Sequence, residues 1–335
     1  MSAVRRSVDS IRCGVSGWTY PEWIGTVFPK PRPRGFHALE YLSQFIDCIE
    51  VSSSFTRDIR PEDSRRWLRK VERNPGFRFS VVLHRRFTHG RNLEPHEISG
   101  FKSGLWPLMR SGRLACVLMQ FRWGFTFTEE NRRFFIALRR AFHEFPLVAE
   151  MGHPSWSVDE AVGVFIDHRV GYCNADQAQP ARLPPPAILT GRVGYVRFHG
   201  PPTGAVLGDL TAAPEAERGS SYLYSAAELD AWSQSLLQLA AYCPNTFAVF
   251  CNSGHAASLV NCLQLRASLR SEAPAVPDRL LAGWPAQLGA FAGGRPVQVS
   301  LFGEPMQEPQ QPVPATGSRA AAARPSPPSP WAVAS

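Results

Sequence analysis

Ionisable side chains recur at the ends of short apolar segments in this 335-residue sequence. Glu150 closes the segment PLVAE, and His153 follows it three residues later. A carboxylate and an imidazole can divide the roles of general acid and general base between them. Arg197 lies near the end of another apolar segment and can bind a carboxylate or phosphate through two parallel hydrogen bonds. These residues predict acid/base chemistry, with Arg197 as a clamp for an anionic group.

Further polar and aromatic residues occupy the ends of other apolar segments. We expect three ionisable residues to support the chemistry: Glu50, Asp176 and His199. We expect five others to bind or stack on a substrate: Trp18, Phe55, Gln120, Trp156 and Asn252. Taken singly, each could instead be a buried, paired or packed residue. Carboxylates and imidazoles also bind divalent metals, which leaves a metal open. No close ligand spacing such as H-E-x-x-H occurs, so we predict no cofactor.

The elements that must position these residues alternate between strand and helix. The predicted strands are 11–15, 47–51, 77–83, 114–120, 146–150, 170–174, 193–198 and 247–252, and the predicted helices are 36–45, 61–71, 128–142, 157–168, 225–242 and 255–269. Eight apolar strands separated by helices predict a closed (β/α)8 barrel. No G-x-G-x-x-G follows the first strand, which argues against a dinucleotide-binding fold. Because the carboxyl ends of barrel strands meet at one rim, the candidate residues should converge there.

Composition excludes several classes of protein. No segment is apolar enough for a membrane span, and the N-terminus has no apolar stretch typical of a secretory signal. Seven scattered cysteines without a C-x-x-C pair argue against a disulfide framework or a zinc ribbon. We therefore expect a reducing, cytoplasmic location. The net charge of +8 leaves nucleic acid as an alternative partner, although only three of the 36 basic residues are lysines.

The chain divides into an N-terminal arm (1–10), a barrel (11–270) and a tail (271–335). The tail holds 12 of the 30 prolines and has no net charge, which predicts disorder. Within the tail, Gln298, Leu301 and Phe302 belong to the segment QVSLF, which resembles the pentapeptide that binds bacterial sliding clamps. Such a segment would recruit the protein to replication or repair. Alternatively, Leu301 and Phe302 fold back over the end of the barrel.

An ordered set of motifs resembles the YecE-like proteins, also called domain of unknown function seventy-two. The motifs are IRCGVSGWTYPEW, IEVSSSFTR, FTHG, VLMQF, AEMGHPSW, NADQAQP, GYVRFHG, YLYSAAELDAW and a CN…N…L pattern near 251–263. The resemblance covers about residues 11–269 and implies a barrel of the triosephosphate isomerase type with its shared residues along one groove. It also adds Arg57 and His89 to the matching positions, and we expect Arg57 to bind substrate. It supplies no substrate.

The sequence departs from the family pattern at six positions: Ser52, Thr56, Val82, Gly152, Pro201 and Cys251. At Val82, Gly152 and Pro201 the family commonly has a cationic residue. The loss of these three cations predicts either a less anionic substrate or a member that has lost turnover.

Three functions follow from the sequence. The first is an enzyme, or a former enzyme, that acts on a small anionic or sugar-like substrate by acid/base chemistry of a hydrolase or lyase type. The second is a nucleic-acid-associated protein recruited through the tail to a sliding clamp. The third is a ligand-binding module without catalytic activity.

Overall fold

A closed barrel of eight parallel strands forms the centre of the protein, as described by a computed structural model. The structure describes residues 8–176, 187–200, 221–270 and 272–291. The strands are β1 (Ile11–Ser16), β2 (Cys48–Val51), β3 (Arg78–Val82), β4 (Leu114–Phe121), β5 (Leu147–Met151), β6 (Gly171–Ala175), β7 (Gly194–Phe198) and β8 (Thr246–Phe250). They pair in sequence order, and β8 closes on β1. The predicted (β/α)8 barrel is confirmed, and every strand lies within two residues of its predicted bounds.

Helices surround the barrel and follow the strands in the predicted order. They are α1 (Ala38–Leu42), α2 (Pro61–Lys70), α3 (Arg85–Thr88), α4 (Pro95–Arg110), α5 (Glu129–Ala141), α6 (Asp159–Asp167), α7 (Ala226–Tyr242), α8 (Ala257–Arg270), α9 (Asp278–Gly283) and α10 (Pro285–Leu288). Side chains cap the starts of α5 and α7, where Thr128 accepts the backbone N–H of Asn131 and Ser225 accepts that of Glu228. Each of the six predicted helices is present, so the sequence pattern located most of the outer layer.

The long helix α4 was missed by the sequence analysis. Gly100, Gly104 and Pro107 lie inside it and weaken its helical signal. Gly104 is required for packing, because a Cβ there would lie 2.1 Å from the carbonyl oxygen of Ile59. The Ser64 hydroxyl donates to the Gly104 carbonyl at 2.6 Å across the same contact. Tertiary packing against α2 therefore outweighs local propensity in this helix.

Two apolar layers hold the barrel together. The larger layer lies between the strands and the helices and includes the fully buried side chains of Trp23, Phe135 and Trp156. The smaller layer fills the barrel interior and includes Leu118, Val148 and Val249. Because alternate residues of each strand face the interior, polar side chains at the carboxyl ends of the strands lie directly above this apolar filling.

Ordered structure continues beyond the predicted barrel boundary at residue 270. Helices α9 and α10 lie within the segment assigned to the tail (271–335), and Val276, Leu280 and Leu288 are buried. The predicted boundary is therefore too early. Prolines misled the prediction: Pro277 caps α9 and Pro285 opens α10, and proline is tolerated at helix starts.

Several predictions lie outside the described residues. These are the first seven residues of the arm (1–7), the tail from residue 292 onward, and the position of Pro201. Gln298, Leu301 and Phe302 are among them, so contact with a sliding clamp stays a prediction. Within the described ranges, no helix is long and apolar enough to cross a membrane.

Candidate functional site

A buried ion-pair cluster centred on Arg197 lies at the carboxyl end of the barrel. Arg197 is only 1% exposed. Its Nη2 donates to Oε1 of Glu50 at 2.9 Å, and its Nη1 donates to Oε2 of Glu150. The guanidinium thus bridges carboxylates from β2 and β5, and a charge this deeply buried requires such partners. Since both terminal nitrogens are engaged, Arg197 is not the free anion clamp that the sequence predicted.

Glu50 is held on every side by protein groups. Its Oε1 accepts hydrogen bonds from the Ser16 hydroxyl at 2.8 Å and from Arg197. Its Oε2 accepts one from the Tyr195 hydroxyl at 3.0 Å, and that hydroxyl also lies 2.6 Å from Oγ of Ser80. Glu50 is fully buried. These contacts make Glu50 an electrostatic anchor for Arg197 and leave it no free oxygen for a substrate.

Glu150 pairs with His199. The His199 Nε2 lies 2.7 Å from Oε1 of Glu150, and both side chains are almost completely buried. Burial alone would raise the pKa of Glu150, but the charges of Arg197 and His199 and their hydrogen bonds lower it to about 2. Glu150 is therefore ionised near neutral pH. Among the described residues, the side chain of His199 forms a hydrogen bond only through Nε2.

The predicted pair of Glu150 with His153 does not form. His153 instead caps the short 3-10 helix that follows β5, where its Nδ1 lies 2.9 Å from the Ser155 hydroxyl. Its ring also packs edge-on against Trp123 at 4.8 Å. Nearness in sequence therefore did not predict the contact of Glu150, because His153 caps the loop after β5.

Asp176 fixes the turn that carries His199. Its Oδ1 accepts the backbone N–H of His199 at 2.9 Å, and its Oδ2 accepts the backbone N–H of Gly200 at 3.1 Å and the Tyr224 hydroxyl. Gly200 has a φ of 87°, a left-handed conformation that favours glycine. Burial raises the pKa of Asp176 despite these donors. Asp176 is thus a positioning residue for His199.

Asn252 does not contact the Arg197 cluster and acts through its neighbours. It is fully buried, and its Nδ2 donates to the carbonyl oxygen of Tyr222 at 2.6 Å and to Oδ1 of Asn261 at 3.2 Å. Asn261 in turn binds both the backbone N–H and the carbonyl of Tyr224 at 3.0 Å. The two asparagines therefore hold the segment that brings Tyr224 to the site.

Gln120 presents an unsatisfied polar atom beside the cluster. It lies in register with Glu150 on the neighbouring strand, so the two side chains point to the same face of the sheet. Its Oε1 is buried and has no hydrogen-bond partner within the protein as described. Buried polar atoms are rarely left unpaired in native proteins. The Gln120 carbonyl is therefore available to a bound hydroxyl or amide donor.

The aromatic candidates divide between packing and the site. Trp156 is fully buried, and its indole N–H donates to the carbonyl of Phe125 at 2.7 Å, so it packs the core and cannot reach a ligand. Trp18 is half-buried and contacts Trp67 edge-on at 5.6 Å. Phe55 is half-buried against the barrel interior and is the aromatic candidate nearest to its apolar filling.

Arg57 is exposed and is not part of the buried cluster. It lies just after the short 3-10 helix Ser52–Phe55, and it forms no ion pair with any described residue. Substrate binding by Arg57 stays a prediction. His89, another position of the resemblance, contacts the Phe55 ring edge-on at 5.2 Å.

Three residues of the site were not among the sequence candidates. Ser16 and Tyr195 bind Glu50, and Tyr224 binds Asp176. Tyr195 had a signal, because it lies two residues before Arg197 on one strand and therefore shares its face. Tyr224 lies in a motif of the resemblance, but nothing in its spacing links it to Asp176.

Three departures from the family pattern, Val82, Gly152 and Cys251, lie in the described part of the site. Val82 is buried among the apolar side chains of the interior. A Cβ on Gly152 would lie 2.8 Å from the backbone nitrogen of Trp123, so the loop after β4 occupies the space of a larger residue. Cys251 is a half-buried free cysteine, and it packs on the same interior layer as Phe55. Among the described residues, no group of three or more potential ligands is arranged to hold a metal ion.

Comparison with known proteins identifies relatives along most of the chain. The model of the family described as "Protein of unknown function DUF72" matches residues 12–286. The UPF0759 protein YunF of Bacillus subtilis is 23% identical over 260 residues, which cover 72% of this chain and 89% of that protein.

Two solved DUF72 family structures share the fold. The protein from Enterococcus faecalis is 21% identical with a TM-score of 0.64, covering 78% of this chain and 95% of its own. The protein from Thermotoga maritima is 24% identical with a TM-score of 0.64, covering 77% of this chain and 98% of its own. Since the family model spans most of the sequence, this protein belongs to the DUF72 family.

Proposed function

We propose that this protein is an enzyme that performs acid/base chemistry on a small, neutral, hydroxyl-rich molecule at the carboxyl end of its barrel. The observation that carries the proposal is the buried contact of 2.7 Å between His199 Nε2 and Glu150. An ionised carboxylate that orients an imidazole is a recurrent arrangement for proton transfer in enzymes. Its position at the end of the barrel where such enzymes bind substrates adds to the argument.

The proton-transfer step follows from the hydrogen bonds. Glu150 is ionised and has no proton to donate. In the neutral tautomer of His199 that donates from Nε2 to Glu150, Nδ1 has a lone pair. His199 Nδ1 then accepts a proton from a substrate hydroxyl, and Glu150 stabilises the imidazolium that forms. Arg197 holds Glu150 in place throughout, and Asp176 holds the backbone of His199. The imidazolium finally returns its proton to the leaving group or product.

The charges of the site favour a neutral substrate over an anionic one. Two carboxylates, Glu50 and Glu150, surround the single guanidinium of Arg197, which leaves the cluster negative when His199 is neutral. Both terminal nitrogens of Arg197 already bind carboxylates, and only its Nε lacks a partner among the described residues. The unpaired Oε1 of Gln120 is an acceptor that suits a hydroxyl donor. Phe55 supplies an apolar surface of the kind on which sugar rings pack.

Substrate class and catalysis are tested by two experiments on the same proteins. A thermal-shift screen of the wild type covers neutral sugars, polyols, sugar phosphates and carboxylates. A ligand at about 100 times its dissociation constant adds about 2.7 kcal/mol, which raises Tm by several degrees. We expect neutral hydroxylated compounds to raise Tm more than phosphorylated ones. The reverse order would contradict the proposed substrate class.

Compounds that raise Tm are then incubated with the wild type, His199→Gln and His96→Gln, and products are followed by mass spectrometry. His96 is an exposed histidine, with 78% of its side chain accessible, and provides the matched control. We expect turnover by the wild type and by His96→Gln, and loss of turnover by about 100-fold or more in His199→Gln. Saturable binding without turnover would instead support a ligand-binding module.

A further inference from the structure

A basic cleft lies at the opposite end of the barrel from the candidate active site. It has a volume of about 460 Å³ and is lined by Arg139, Arg140, His143, Asp167, His168 and Arg169. These residues end α5 and α6 or directly follow those helices. Because the helices run back from the carboxyl end of one strand to the start of the next, their final turns lie at the amino end of the barrel.

Within the described part of the chain, no carboxylate pairs with the arginines of this cleft. Neither Arg139, Arg140 nor Arg169 forms an ion pair with a described residue, although Asp167 lines the same cleft. Elsewhere on α5, Arg132 and Arg133 both pair with Glu129 at 2.7 Å. On α5, therefore, the arginines near the start of the helix are paired with a carboxylate, whereas those of the last turn, which line the cleft, are not.

One of the three arginines is also positioned by a hydrogen bond between the two helices. The Arg139 Nε donates to the carbonyl oxygen of His168 at 2.8 Å, which ties the end of α5 to the end of α6. Arg169 follows with a φ of 53°, a left-handed turn that starts the path into β6. With both histidines neutral, the six lining residues carry a net charge of +2. The cleft is open to solvent, and its volume is in the range of small-molecule sites.

We propose that this cleft binds a small molecule that carries two or more phosphate groups. Guanidinium groups bind phosphate oxygens through paired, charge-assisted hydrogen bonds. Three arginines around one cavity match a chain of linked phosphates better than a single anion. The cleft is separate from the Glu150–His199 pair, so its occupancy and the proposed catalysis can be tested independently.

The test is titration calorimetry of the full-length protein with inorganic tripolyphosphate at low ionic strength. The test variant is Arg140→Gln combined with Arg169→Asn, because asparagine tolerates the left-handed backbone at position 169. The control is Arg132→Gln combined with Arg133→Gln, which removes the same charge from paired positions. We expect saturable binding by the wild type and the control, and weakening by about tenfold or more in the test variant. Added salt should weaken wild-type binding.

Three results would overturn the proposal. One is the absence of saturable tripolyphosphate binding to a folded wild-type protein. Another is equal weakening in both double variants, which would assign binding to overall charge. The third comes from a parallel titration with a single-stranded oligonucleotide: if it binds through the same arginines and tripolyphosphate does not, the cleft is a nucleic-acid surface and not a small-ligand site. Circular dichroism of each variant confirms that folding is retained.

Discussion

The buried carboxylate of Glu150 should give the free energy of unfolding a distinct dependence on acid pH. Its pKa is lowered from 4.5 to about 2 in the folded protein. In the unfolded chain the contacts with Arg197 and His199 are lost, and the pKa returns toward its ordinary value. Because the folded pKa is the lower one, the stabilisation is present above about pH 4.5 and is lost as the pH falls toward about 2.

The size of the effect follows from that shift. A lowering of the pKa from 4.5 to about 2 corresponds to about 3 kcal/mol, since each unit of pKa is worth about 1.4 kcal/mol. Near neutral pH, Glu150→Gln should therefore destabilise the protein by about 3 kcal/mol, a typical cost for breaking a buried ion pair. About 2 kcal/mol of this difference should be gone by about pH 3.

Urea denaturation of the wild type and Glu150→Gln between about pH 7 and about pH 3 measures this difference. Glu62→Gln is the control, because the Glu62 side chain is 72% exposed and its loss should leave the pH dependence unchanged. Curves for the wild type and Glu150→Gln that stay parallel over this range would refute the reasoning. They would mean that Glu150 is not held ionised by Arg197 and His199.

Three further predictions concern packing and access. Gly152→Ala should lower the free energy of unfolding by about 1–3 kcal/mol in urea denaturation, because its Cβ would meet the loop after β4. Gly163→Ala adds a Cβ in open space on a helix and should be neutral or stabilising. Equal effects of the two substitutions would contradict this prediction. Tyr224→Phe removes a donor from a buried carboxylate and should cost about 1–3 kcal/mol, against no measurable change for the exposed Tyr242→Phe. Iodoacetamide should alkylate only Cys251 in the folded protein, because the other six cysteines are buried. The reaction should be slow, since burial raises the pKa of the Cys251 thiol. A second modified cysteine in peptide mapping would contradict the fold.

The barrel was predictable from the sequence because its signals are local. Apolar strands of four to eight residues and helices with a clear apolar periodicity repeat in order, and these patterns do not depend on distant contacts. Helix α4 was not predicted, because the glycine that weakens its helical signal, Gly104, is required by close packing against Ile59. That contact joins segments far apart in the sequence. The helices after residue 270 were not predicted, because the prolines at their starts are also typical of disordered segments.

The sequence indicated which residues form the site, but it did not indicate which of them contact each other. Strand ends pointed to Glu50, Glu150, Arg197 and His199, all of which converge in the buried cluster. The choice of His153 as the partner of Glu150 rested on spacing along one loop. The sheet instead brings the carboxyl end of β7 beside that of β5, and no local pattern shows which of two histidines lies there.

The most direct test of the account compares turnover by His199→Gln with turnover by His153→Gln, on whichever neutral hydroxylated compound raises Tm of the wild type. Both variants remove an imidazole from the carboxyl end of the barrel, but only His199 contacts Glu150. The account predicts that kcat falls by about 100-fold or more in His199→Gln and stays within about twofold of the wild type in His153→Gln. Full turnover by His199→Gln, or its loss only in His153→Gln, would contradict the assignment of His199 as the general base.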